Sequence, residues 1–199
     1  MKVSCKKQRI MKEIKMEEGR KVTIDIRKAN IFAIVLMLVS GIALLVPYIL
    51  IWRDQWTAGT VDDFFHTFPA RSVLFLVLMI VGIVVHELIH GITWACFAPS
   101  GWRSISFGVM WKMLTPYCHC SEPMRPRPYI IGALMPLIVL GIIPAVISLI
   151  IGSLFLLVWC VVFISAAGGD IWMAWLLAKE SSDCTVLDHP SEAGFYVFD

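Results

Sequence analysis

Charge is scarce in this sequence. Asp, Glu, Lys and Arg together make up 16% of the 199 residues, and most of them fall outside a few long apolar runs. No internal repeat, low-complexity tract or glycine-rich phosphate loop is present. Nor is there a nucleic-acid signature, so nucleic acid is not an expected partner. The six cysteines (Cys5, Cys96, Cys118, Cys120, Cys160, Cys184) include no C-x-x-C pair of the kind that completes a four-ligand zinc site. All six lie in apolar runs or on the expected cytosolic side, where a reducing environment disfavours disulfides. They read as buried or free thiols.

What is abundant is apolar sequence: 58% of residues are hydrophobic and the mean hydropathy is +0.78. Ordinary globular domains are roughly half apolar. Here the apolar residues gather into runs that meet the ~20 residues a bilayer-crossing helix needs. Four spans are expected, at about 31–52, 72–97, 129–151 and 153–178, with Gly152 and Ser153 turning the last two into a tight hairpin. The first run is longer than a signal-peptide core and no small-residue cleavage site ends it, so it reads as a retained span.

Ten basic residues precede Asn30 (Lys2, Lys6, Lys7, Arg9, Lys12, Lys15, Arg20, Lys21, Arg27, Lys28). The positive-inside rule then puts the N-terminus in the cytosol, and four spans return the C-terminus there. Between the first two spans, only Arg53 and Arg71 are basic. Between the second and third lie Arg103, Lys112, Arg125 and Arg127.

The fold class implied is an all-α integral membrane protein of the cell membrane, with four transmembrane helices and a small β element at the cytosolic face. It divides into a basic segment (1–29), a four-helix core (30–180) and a cytosolic tail (181–199). Residues 5–18 have Ile10, Met11 and Ile14 at helical spacing, suiting a short helix near the inner leaflet. "KVTIDI" (21–26) alternates like a strand, and Ile105 to Tyr117 is β-like. The two are expected to pair as one small sheet, whose edge could take an extended peptide. The aromatic residues from Trp52 to Phe68 suit an interfacial loop.

Chemistry concentrates in "VVHELIH", residues 84–90. On a helix, His-Glu-x-x-His puts His86 and His90 one turn apart on one face, where both imidazoles reach one metal ion. Glu87 lies about 100° round the helix, within reach of a zinc-activated water as general base. Ionisable groups in a membrane helix are costly and functional by default. A proton or cation relay using the same residues is the main alternative.

Catalytic zinc needs a third protein ligand and an open position. Candidates after the motif are His119, Glu122, Asp170, Asp183, Asp188, His189 and Glu192. The second and fourth spans run parallel, with His90 and Asp170 at matching depth, roughly 13 Å from the cytosolic ends. Asp170 is the acidic residue of the fourth span and follows the small-residue run "SAAGG" (165–169), which permits close helix approach. It is the favoured ligand. A hydrogen-bonding role for Asp170, with His119 of "YCHC" as ligand, is the rival. Gly132, Pro136, Gly141 and Pro144 predict a kink in the third span that could shape a cavity.

On "HELIHG", "SFGVMWKMLTPYCHCSEP" and "AAGGD", the chain resembles a bacterial family of zincin peptidases, small membrane proteins long labelled a domain of unknown function. The likeness runs from about Val22 to Lys179. The architecture is distantly similar to the site-2 intramembrane metalloproteases, which draw two histidines from one membrane helix and an aspartate from another. Gly168 and Gly169 stand before the aspartate here, where those enzymes carry an Asn-Pro motif, and Ile171 replaces the glycine after it. The resemblance implies His86, His90 and Asp170 as ligands of one Zn2+ per chain and Glu87 as catalytic base. The function expected is zinc-dependent intramembrane hydrolysis of a membrane-embedded or juxtamembrane polypeptide within the lipid bilayer. Alternatives are a small proton or metal-ion transporter, and a non-catalytic metal-binding scaffold.

Overall fold

A computed structural model describes residues 19–55, 58–111, 115–189 and 192–199, with side chains in the second helix described from residue 72. The segment 5–18 lies outside the described residues. The chain is mostly helical. Strand β1 (Arg20–Thr23) leads into helix α1 (Ile26–Ile51), and α2 (Ala58–Phe97) follows a short 3-10 turn. A hairpin comes next, β2 (Ile105–Met110) with β3 (Thr115–Cys120). Then come α3 (Pro126–Pro136), a π-helical turn (Leu137–Ile142), and α4 (Ile143–Ile151). Helices α5 (Leu154–Ala166) and α6 (Gly168–Leu177) precede strands β4 (Thr185–Asp188) and β5 (Gly194–Phe198).

Among the described residues, three helical stretches are long and apolar enough to cross a membrane: Ile26–Ile51, Ser72–Phe97 and Pro126–Ile151. A fourth exists if α5 and α6, bent by 41° at their junction, count as one. These helices are apolar all round, the pattern of a helix surrounded by lipid. Ile34, Leu38, Ile42 and Leu50 of α1 and Leu76, Ile80 and Val84 of α2 are all exposed. The segment expected as an interfacial loop is shorter than the sequence suggests, because α2 begins at Ala58.

Local chemistry sets the ends. The Asp25 carboxylate caps α1 by accepting from the Arg27 and Lys28 amides, a contact worth ~1 kcal/mol in typical helices. At the other end, Trp52 Nε1 donates to the Leu149 carbonyl and the Tyr48 hydroxyl donates to that of Gly152. Gly152 takes φ +69°, a left-handed conformation that suits glycine. A Cβ there would meet the Trp52 ring at 2.7 Å. Ser153 caps α5 through the Leu156 amide. The tight hairpin expected between residues 151 and 154 is present, tied to the end of α1.

The small-residue run does its work at the bend. Ser165 Oγ donates to the Ala33 carbonyl at 2.8 Å, and a Cβ on Gly168 would come within 3.1 Å of Ala33 Cβ. The start of α6 thus lies against the backbone of α1. Pro136 and the π turn behind it interrupt the third span, where a kink was expected.

The β pairing differs from expectation. β1 does not meet the 105–117 segment. It pairs antiparallel with β5, which pairs with β4, giving the order β1-β5-β4. β2 and β3 form their own antiparallel hairpin, with Phe107 opposite Cys118. A strand pattern fixes which residues face inward, not which strand sits alongside. The cluster formed by Cys118, Cys120, Met124, Tyr129, Leu177, Val186, Phe195 and Val197, with Trp94, joins the C-terminal strands to the ends of the helices.

Candidate metal centre

His86 and His90 sit one turn apart on α2, and both are buried. Asp170 occupies the first turn of α6, where the helix N-terminus favours a carboxylate. The bend at Ala167 aims that turn at α2. His86 Nε2 lies 3.1 Å from Asp170 Oδ2, His90 Nε2 lies 3.4 Å from Oδ1, and the two Nε2 atoms are 3.2 Å apart. Among the described residues this is the one group of three or more His, Cys, Asp or Glu side chains close enough to share a metal ion.

The fit to zinc can be tested on those separations. Ligands held ~2.0–2.1 Å from a tetrahedral centre lie about 3.3 Å from one another. The Nε2–Nε2 separation of 3.2 Å is close to that value, and each imidazole nitrogen lies 3.1 or 3.4 Å from a different oxygen of Asp170. The donor set of two imidazoles and one carboxylate also suits zinc and leaves a fourth position for water. Asp170 keeps 24% of its side chain accessible, against 10% and 5% for the two histidines. The open side of the centre is therefore the carboxylate side.

His90 is fixed from three directions. Its Nδ1 lies 2.8 Å from the Gly132 carbonyl. A carbonyl only accepts, so Nδ1 carries a proton, and in its neutral form the ring has its lone pair on Nε2. The Trp94 indole stacks on the imidazole at 5.2 Å and 14°. Trp94 Nε1 in turn donates to the Tyr129 carbonyl at 3.1 Å. Gly132 makes this arrangement possible, since a Cβ there would lie 2.9 Å from Trp94 Cε2 and closer still to Nε1 and Cδ1.

The hairpin completes the surroundings. A Cβ on Gly91 would meet the Phe107 ring at 2.7 Å, so β2 docks on α2 directly beside the motif. The backbone amide of Cys118 in β3 lies near the Glu87 carboxylate. Sequence reasoning found Glu87 but missed this neighbour, because nothing in "YCHC" signals a backbone contact.

A family model described as "Putative zincin peptidase" matches residues 79–185, more than half of the chain and all four site residues. The chain belongs to that family. No curated protein and no solved structure matches it. The family's description points to a zinc peptidase, and in this chain His86, His90 and Asp170 form a group that could hold a metal ion.

The rival ligand lies elsewhere in the zincin. His119 Nδ1 donates to Asp188 Oδ2 at 2.9 Å. The same carboxylate accepts from the Tyr129 hydroxyl (3.0 Å) and the Cys120 amide (3.3 Å). These contacts tie β3, α3 and β4 together. Glu122 accepts from the Ser100 amide at the end of α2, and these hydrogen bonds hold its carboxyl below the usual range. Glu192 pairs with Lys21 and His189 accepts from the Glu192 amide. Burial pushes the thiols of Cys118 and Cys120 up, away from the thiolate that metals bind.

Proposed function

We propose that this zincin is a zinc-dependent intramembrane peptidase in which His86, His90 and Asp170 hold the metal and Glu87 is the general base. The observation that carries the reading is the convergence of His86, His90 and Asp170, with ligand atoms 3.1–3.4 Å apart and Glu87 on the adjoining helix position. Bound zinc would supply an acidified water near neutral pH and a polarised peptide carbonyl. The chain's own residues do the rest. The Glu87 carboxylate, with the Cys118 amide nearby, takes a proton from the attacking water and passes it to the leaving amine. Fixing the Nδ1–H tautomer of His90 keeps its Nε2 lone pair on the metal side.

The substrate proposed is a membrane-embedded or juxtamembrane polypeptide. The centre is assembled on helices whose outer faces are apolar, so the neighbouring medium is lipid. A helical substrate hides its carbonyls in internal hydrogen bonds and must unwind locally before attack. In this reading α5 and α6 form one bent span, all four spans cross the cell membrane, and both termini lie in the cytosol. The architecture then resembles that of the site-2 proteases.

The test uses purified protein in nanodiscs with one equivalent of zinc and labelled transmembrane peptides. Glu87→Gln should lower the cleavage rate by ~10²–10⁴-fold while zinc still binds. Unchanged cleavage in Glu87→Gln would refute the mechanism. Ion flux without cleavage would assign the cluster to transport instead.

A further inference from the structure

The structure assigns Pro136 as the positioning residue that frees the Gly132 carbonyl to orient His90. In an α-helix the carbonyl of residue i accepts from the amide of residue i+4. The residue four after Gly132 is Pro136, which has no N–H. The next amide, that of Leu137, turns to the Leu134 carbonyl instead. The Gly132 oxygen, buried inside α3, is therefore left without its helical donor. A buried carbonyl needs a partner, and His90 Nδ1 supplies one at 2.8 Å.

The contact works in both directions. It satisfies a backbone acceptor that the proline would otherwise orphan, and it fixes which imidazole nitrogen carries the proton. With Nδ1–H committed to Gly132, Nε2 is the nitrogen that faces His86 Nε2 and Asp170 Oδ1, at 3.2 and 3.4 Å. Glycine at 132 is required as well, because it allows Trp94 to close over the imidazole. The π turn from Leu137 to Ile142 absorbs the broken hydrogen-bond ladder on the far side of the proline. A kink that looks like ordinary membrane-helix irregularity thus places an acceptor against a proposed metal ligand.

This inference rests on the metal-centre reading, and the experiment separates the two. Pro136 is replaced by alanine, and separately by lactic acid through nonsense suppression. The two variants share a methyl side chain, but only alanine brings an N–H to the Gly132 oxygen. Affinity for Zn2+ is measured by competition and for Co2+ by its visible absorption bands, in detergent.

Pro136→Ala should bind both ions about 10–100-fold more weakly, and the lactic acid variant should bind like the native protein. Pro144→Ala, in the same span but with no histidine opposite, should also leave affinity unchanged. Equal, native-like affinity in the alanine and lactic acid variants overturns the inference, as does equal loss in both, which would mark a packing role for the ring. Failure of the native protein to bind either ion overturns the metal-centre reading instead. Should the alanine variant not fold, ¹⁵N shifts of the native metal-free protein decide. The His90 ring, assigned by its loss in His90→Gln, must be protonated on Nδ1, and protonation on Nε2 alone overturns the inference.

Discussion

Gly132→Ala is the substitution whose outcome separates packing from propensity, because the two predict opposite signs. Alanine is the better helix former by ~1 kcal/mol, so propensity alone makes the variant more stable. Packing says otherwise. The added methyl would stand 2.9 Å from Trp94 Cε2 and nearer to two other indole atoms, whereas carbon contacts are comfortable at ~3.5–4.0 Å. The indole must therefore retreat by roughly 1 Å or more. Its hydrogen bond to the Tyr129 carbonyl, 3.1 Å long, would not survive that shift. Losing it leaves a buried donor unpaired, at ~1–3 kcal/mol, and the overpacking costs ~1–3 kcal/mol more.

Set against the propensity gain, the net expectation is a destabilisation of ~1–5 kcal/mol. The Trp94–His90 stack moves with the indole, so zinc affinity should fall by ~10–100-fold, as for other losses around a metal ligand. The assay pairs thermal unfolding in detergent with a zinc competition titration. Trp94→Phe, which removes Nε1 and the five-membered ring, should relieve the clash. The double variant should then be less destabilised than the sum of the single ones. A Gly132→Ala protein at least as stable as the native one, with unchanged zinc affinity, would refute the close approach of α2 and α3.

Two further substitutions address the two aspartates. Asp170→Ala removes one of three proposed ligands and should weaken zinc binding by at least ~100-fold. The check is equilibrium dialysis against zinc, and retention of native affinity would return the ligand role to another residue. Asp188→Ala strips partners from Tyr129, His119 and the Cys120 amide and should cost ~2–5 kcal/mol. Hydrogen exchange should then rise across Thr185–Asp188 and Gly194–Phe198, and unchanged protection there would show that the network does not hold the C-terminal sheet.

The parts of this protein legible in sequence are those set by short-range period or by depth. His86, Glu87 and His90 share a helix, so their spacing alone fixes their relation. Asp170 was reachable because a lone carboxylate behind five small residues has few places to go in an apolar run. The bend at Ala167 was not legible, because it depends on Gly168 meeting Ala33 in a different helix. The strand at Arg20–Thr23 could be read from alternation, but its partner lies more than 170 residues away, in a segment read as a tail. The partner strands are four and five residues long, too short to carry a clear period. His119 illustrates the other limit. Its residue type fits a metal ligand, and only its partner, Asp188 on β4, shows that it is occupied elsewhere.

The two aspartates, buried Asp188 and half-buried Asp170, differ in what surrounds them. Asp188 is surrounded by donors: a phenol O–H, an imidazole N–H and a backbone amide. Its charge is compensated by the protein itself. Asp170 faces His86 Nε2 and His90 Nε2, and His90 also donates its Nδ1–H to the Gly132 carbonyl. Asp188 thus finds its donors within the protein, whereas Asp170 faces two imidazole nitrogens in a group that could hold a metal ion. The hydrogen bond from His90 to Gly132, and the proline that leaves that carbonyl available, hold one side of this group in place.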